Sequence, residues 1–261
     1  MTKNINNLFF VFLFIHLLLW VLAPSLTNKN LPLDTIEALA WGSNLDWGFN
    51  KHPPLSAFAV EIFYQIFGSN DWAYYLLSQL FVIVGFIAVY KFSNEILNNK
   101  KLALLSVLLL EGIYFYNFTT PEFNVNVCQL PFWSLVVYFS WKIYSSKEIK
   151  FLDCFLVGLF GALGFLSKYL FAYLLASIFL LFIYLIVFQK KKKFDFKYLI
   201  TIEVFLILLV PHFIWLYHND FITILYGIKR TSLEDPNILN HIQYPIIFLI
   251  KQIGTLVPFF S

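Results

Sequence analysis

The sequence predicts an all-α fold: a polytopic bundle of about eight membrane-spanning helices. Three observations carry this prediction. Only 13% of the 261 residues are charged and 60% are hydrophobic, whereas soluble domains carry about 25% charged residues. The apolar residues arrive in blocks approaching or reaching the length of about 20 needed to cross a bilayer core. The lysines collect in alternate connecting segments, as they do in short loops on one side of a membrane.

Taken in order, the spans are expected near residues 8–25, 72–91, 102–118, 125–144, 152–167, 169–189, 198–217 and 242–260. The first, Leu8 to Ala23, imitates a signal peptide. Lys3 is the only charge ahead of it, however, the run is long, and no small-x-small site precedes the polar stretch, so it is expected to remain as a span. Between the first two spans lies the largest polar segment, residues 26–71. Within it "PLDTIEALAWG" reads as one short amphipathic helix and "PPLSAFAVEIFYQIFG" as a second that ends at Gly68. Both are too short or too polar to span, which suits helices lying along a membrane surface. Spans five and six meet at Ser167-Lys168-Tyr169, leaving room only for a tight turn.

Charge sets the expected orientation. With the N-terminus in the cytoplasm, the cytoplasmic segments receive Lys3, Lys91, Lys100, Lys101, Lys142, Lys147, Lys150, Lys190 to Lys193 and Lys197, which is 12 of the 18 basic residues. Asp34, Glu37, Asp46, Glu61, Asp71, Glu122, Asp220, Glu234 and Asp235 fall on the external side. The net charge of only +3 gives no footprint for nucleic acid. The lysine run in "QKKKKFDFK" reads as a loop facing anionic membrane lipids. Cys128 and Cys154 lie apart in or beside apolar runs and read as small core residues. No Gly-rich phosphate loop, CxxC pair or histidine cluster appears, so no cofactor is expected, and a divalent metal is left open.

The polar segment after the first span carries the chemistry. Asp34, Glu37 and Trp41 stand at i, i+3 and i+7 and share one helical stripe. Two readings apply to the acids. They suit a helix N-terminus, where negative charge is stabilised; beside an aromatic ring they also suit hydroxyl binding and general-base work. In "NKHPPL", Pro53 and Pro54 remove two backbone donors and fix the direction of Lys51 and His52. A fixed cation at a membrane surface matches the phosphate of a lipid carrier. Glu111 and Glu203 fall inside spans, where a charge costs about 2.5–3.5 kcal/mol on insertion scales. Glu111 is expected to bond a neighbouring helix from near mid-span, and Glu203 to reach an interface. Proton-carrying roles for these two acids would instead mark a transporter or a flippase of lipid-linked sugars.

"LDTIEALAWG…DWGFNKHPPLSAFAVEIFYQIFGSNDWAYYLLS" resembles the first external loop of polyprenyl-phosphate-sugar glycosyltransferases with the GT-C fold. These include protein O-mannosyltransferase-like enzymes, the lipid A aminoarabinose transferase and galacturonosyltransferases of lipopolysaccharide core. In order, "EGIYFYNFTTPEFNVNVCQLPFW", "GLFGALGFLSKYLFAYLL" and "PHFIWLYHNDF" are similar to later segments of that family. The second loop departs from it, with Glu122, Asn124 and Asn126 where many members carry an aspartate.

The resemblance implies a single membrane domain over residues 1–261 with its active site in segment 26–71. It implies sugar transfer with inversion from a polyprenyl-phosphate donor to a lipid A, lipopolysaccharide or other cell-envelope glycolipid or glycan. The expected setting is the bacterial inner membrane, with the active-site loop periplasmic. It maps Asp34 and Glu37 to catalysis, with Asp34 as base or acceptor-orienting acid. Lys51, His52, Trp41, Glu122, Asn124, Lys168, His218 and Arg230 are mapped to substrate binding, the cations facing the phosphate. The chain has fewer spans than such enzymes usually have, so the family's C-terminal part is expected to be missing. An inactive or truncated family member is the further alternative.

Overall fold

The computed structural model describes residues 2–231 and 239–255. Glu234, Asp235 and the end of the last expected span, residues 256–260, lie outside the described residues. Among those described, all regular structure is helical. In chain order it comprises α1 Thr2–Thr27, α2 Leu33–Gly42, α3 Leu55–Phe67, α4 Asp71–Leu97, α5 Lys100–Glu111, α6 Val125–Ser145, α7 Phe151–Ser167, α8 Phe171–Ile183, α9 Lys197–His218, α10 Ile222–Thr231 and α11 Asn240–Thr255. A 3-10 turn over Tyr114–Tyr116 precedes α6, and α8 widens into a π-helical turn over Tyr184–Phe188.

The long helices form a row. α4 packs against α1, α5 and α6; α6 packs on α7; α7 packs on α9 and, more lightly, on α8. α2 packs on α3, and α3 also touches α4, α6 and α7, so the polar segment is seated on the bundle. Pro32 and Pro54 stand at the N-caps of α2 and α3, where a missing N–H costs nothing. Gly68 closes α3 at φ 63°, a left-handed conformation that a side chain would strain. One apolar cluster surrounds α4, with Phe9, Val60, Phe86, Val107 and Phe123 at its centre. A second lies between α6 and α7 around Val136, Cys154 and Phe171. Both cysteines are free and buried, as packing residues are.

Of the eight expected spans, helix length and composition bear out four among the described residues. Among the described residues four helices are long and apolar enough to cross a bilayer: Asn4–Thr27, Asp71–Leu97, Phe171–Phe188 and Lys197–His218. α6 has 21 residues but carries Asn126, Gln129, Ser134 and Ser140. α7 has 17 residues, and α11 is described over Asn240–Thr255. The expected span over residues 102–118 is not one continuous helix, because α5 stops at Glu111 after 12 residues. At 1.5 Å per residue that is about 18 Å, well short of a hydrocarbon core of about 30 Å. The Asn117 side chain ends the helix by donating to the Glu111 carbonyl at 2.6 Å.

Glu111 is the last residue of α5, it lies level with the middle of α1, and it does bond that neighbouring helix. Its carboxylate lies 2.8 Å from Nδ1 of buried His16 and accepts from the Trp20 indole at 3.2 Å, both on α1. His16 Nε2 meets Gln79 Oε1 of α4 at 3.0 Å, and the Gln79 amide donates to Thr120 Oγ1 at 3.3 Å. Ser78 donates to the Thr120 carbonyl. Between helices in an apolar surround, polar groups satisfied in this way fix the register of α1, α4 and α5. The same bonds anchor the 112–124 connection that reaches the polar segment. Glu203 is exposed on α9.

Candidate active site

α2 is held by the connection between α5 and α6. Thr35 Oγ1 donates to the Phe123 carbonyl at 3.1 Å, and the Asp34 N–H donates to Glu122 Oε1 at 3.2 Å. Glu122 thus caps the positive end of α2, where a carboxylate is stabilising. Asn124 is a cap as well: its Oδ1 accepts from the Asn126 and Val127 N–H groups at the start of α6. Both residues mapped to substrate from the second loop therefore build the frame of the site. The neighbouring Asn126 reaches inward instead, its Oδ1 accepting from Lys168 Nζ at 2.6 Å.

The two acids of α2 differ in occupancy. Glu37 Oε1 lies 2.5 Å from Lys51 Nζ. Among the described residues no side chain pairs with the Asp34 carboxylate, which is exposed. Trp41, on the same stripe, stacks on Phe49 at 5.3 Å and meets the His52 ring edge-on at 5.9 Å. Pro53 and Pro54 behind His52 are buried. The stripe of Asp34, Glu37 and Trp41 consequently opens onto Lys51 and His52.

Lys168 follows α7 with extended backbone and points its ammonium at the same space. Arg230 on α10 completes the set. Among the described residues its guanidinium bonds weakly to Tyr226, at 3.5 Å, and its charge acts on both Lys168 and His52. The Lys51 amine titrates above its ordinary range, first because Glu37 accepts its hydrogen bond and then through the charge of Glu37. Lys168 moves the other way: burial lowers it, Arg230 lowers it further, and Asp34 opposes. His52 is lowered by burial and then by Lys168, with Glu37 and Asp34 opposing, which favours the neutral ring. Two acids, three cations and one imidazole thus converge from α2, the loop before α3, the α7–α8 turn and α10.

His218 is not brought into this group; it is exposed at the end of α9 and its ring meets Tyr217. One turn and a half earlier on α9, His212 is fully buried and bonds Trp47 and Tyr169. Sequence reasoning missed His212 and named Asn126 without mapping it to the site. The signals were the motifs "PHFIWLYHNDF" and "EFNVNVC", but neither marks which polar residue turns inward. Among the described residues no three His, Cys, Asp or Glu side chains gather as a metal-ligand set.

The family described as dolichyl-phosphate-mannose-protein mannosyltransferase matches residues 51–215. This stretch begins at Lys51, includes His52, Glu122, Asn124 and Lys168, and leaves Asp34, Glu37 and Trp41 before it and His218 and Arg230 after it. No curated protein and no solved structure matches the chain. The match covers more than half of the chain and agrees with the apolar helices and the seated polar segment. The chain therefore belongs to the dolichyl-phosphate-mannose-protein mannosyltransferase family and is a membrane glycosyltransferase of the GT-C type.

Proposed function

We propose that this glycosyltransferase takes its sugar from a polyprenyl-phosphate carrier and passes it to a hydroxyl of a cell-envelope glycolipid or glycan, lipid A or lipopolysaccharide among them. The observation that carries this reading is the pair Lys168 and Arg230. Among the described residues neither cation has a carboxylate within bonding distance, and the charges of Arg230 and Asp34 both act on Lys168. An unbalanced positive end beside an unpaired acid suits an anionic leaving group and a hydroxyl nucleophile.

In this mechanism the acceptor hydroxyl gives its proton to the Asp34 carboxylate as its oxygen attacks the anomeric carbon. The bond from that carbon to the phosphate oxygen breaks, and the polyprenyl phosphate departs on the opposite face with inversion. Lys168 and Arg230 stabilise the charge that grows on the phosphate, the kind of preorganised electrostatic work that dominates many such steps. Glu37, held by Lys51, and the Trp41 ring position the sugar through its hydroxyls and one apolar face. A lipid phosphate leaves readily once its charge is met, so this reading calls on no cofactor.

The segment bearing Asp34, Lys51 and Lys168 is assigned to the external, periplasmic side of a bacterial inner membrane. Support comes from the lysines at the opposite ends of the helices, Lys91, Lys100, Lys142, Lys147 and Lys190 to Lys193. The test is transfer by purified protein from a radiolabelled polyprenyl-phosphate sugar. Asp34→Asn is expected to lose about a thousandfold in rate, in the range of a missing general base together with lost orientation. Normal transfer by that variant removes Asp34 from the mechanism.

A further inference from the structure

We propose that His212 is a positioning residue: it clamps the loop that carries Lys51 and His52 and so fixes where that cation and imidazole stand. The inference rests on reading Lys51 and His52 as substrate-facing groups. It assigns a role to a buried histidine that the transfer mechanism does not use.

One imidazole joins three stretches far apart in sequence. His212 Nδ1 lies 2.5 Å from the Trp47 carbonyl oxygen, and Nε2 lies 2.8 Å from the Tyr169 hydroxyl. A carbonyl oxygen can only accept, so Nδ1 carries the proton, and in the neutral ring Nε2 accepts from the phenol. Tyr169 adjoins Lys168 in sequence, so the ring ties the loop after α2 to the α7–α8 turn. Thr223 of α10 donates to the Phe49 carbonyl at 2.5 Å. The loop is thereby held by two of its carbonyls, on either side of Gly48.

Gly48 is what lets the clamp close. A Cβ at this position would lie 2.3 Å from the Trp215 ring, so that indole can lie against the loop backbone only because the side chain is absent. The Trp215 ring runs nearly parallel to His212, with ring centres 6.4 Å apart. The hold passes directly to the site. The Phe49 N–H donates to the His52 carbonyl at 3.1 Å, closing the turn that contains Lys51, and the Phe49 ring stacks on Trp41. A loose Trp47–Phe49 strip would release all of these groups together.

The test compares His212→Phe, His212→Asn and Tyr169→Phe in the full-length purified protein. Asparagine keeps a donor near the Nδ1 position, phenylalanine keeps only the bulk, and Tyr169→Phe removes the second link alone. Hydrogen exchange of the Phe49 amide is read without substrate, alongside KM and kcat with a polyprenyl-phosphate sugar. His212→Phe is expected to speed exchange at Phe49 by about tenfold, the size of one lost buried hydrogen bond, with amides of α4 unchanged. Donor KM is expected to rise by a similar factor with a smaller change in kcat, and His212→Asn to restore most of both. Where His212→Phe does not fold, Tyr169→Phe carries the same test with a smaller shift.

Unchanged exchange at Phe49 overturns the clamp. Faster exchange with an unaltered KM overturns its link to the site, as does a uniform loss of stability that His212→Asn does not rescue. Because the exchange arm needs no donor, a sound clamp in a protein that uses a different donor is told apart from a failed clamp.

Discussion

Lys51 and Lys168 are the same residue in the same site, yet their surroundings give them different work. Lys51 is bonded to a carboxylate, Glu37 at 2.5 Å, and its charge is balanced where it stands. Lys168 is bonded to a neutral amide, Asn126 at 2.6 Å, and the like-signed Arg230 acts on it more strongly than Asp34 does. The first arrangement holds geometry. The second keeps a positive charge under tension, half-buried and crowded, and an arriving anion relieves both costs. A polar segment that looks uniformly charged in sequence therefore divides into a balanced half suited to hydroxyls and an unbalanced half suited to phosphate.

This contrast can be broken by substitution. Lys168→Ala is expected to reduce transfer by about a hundredfold or more, the scale of removing one preorganised donor to a developing anion. Glu37→Gln is expected to cost less, about tenfold, the scale of one charge-assisted hydrogen bond. It frees Lys51 and loosens the hold on the sugar's hydroxyls, so donor KM is expected to rise, but by less than for Lys168→Ala. Equal effects of the two substitutions on donor KM would erase the division between the halves.

Titration sharpens the same contrast. Lys168 loses its proton below the ordinary lysine value of 10.5, and Lys51 only above it. Donor binding needs the charged Lys168, so donor affinity is expected to fall as pH rises through the lowered value, while Lys51 is still protonated. Lys168→Arg, which does not titrate in this range, is expected to flatten that alkaline limb, by about threefold at its steepest. A limb unchanged by Lys168→Arg would assign it to another group.

Much of this arrangement was legible in the residues. Pro32, Pro54 and Gly68 mark the ends of α2 and α3 because local backbone chemistry decides them. The stripe of Asp34, Glu37 and Trp41 follows from helical spacing, and a partner for Glu111 follows from the cost of a bare charge among apolar helices. Other features were hidden because they depend on contacts between distant stretches. α5 ends where Asn117 takes the Glu111 carbonyl, although the apolar run through 118 reads as continuous. Glu122 and Asn124 carry the right chemistry for a ligand but are turned to helix caps. Nothing in its motif marks His212, and only its approach to Trp47, 165 positions away, gives it a task. His218, equally plausible in sequence, stays at the surface.

The most direct measurement is the equilibrium binding of a polyprenyl phosphate, without sugar, to the protein in lipid nanodiscs, comparing wild type with Lys168→Ala and Lys51→Ala. The balanced and unbalanced halves predict about a hundredfold weaker binding for Lys168→Ala, the loss of a charge-assisted contact to the phosphate, and only about threefold for Lys51→Ala, as for an exposed ion pair. Equal losses in the two variants, or full affinity in Lys168→Ala, would contradict the assignment of the phosphate to the Lys168 end.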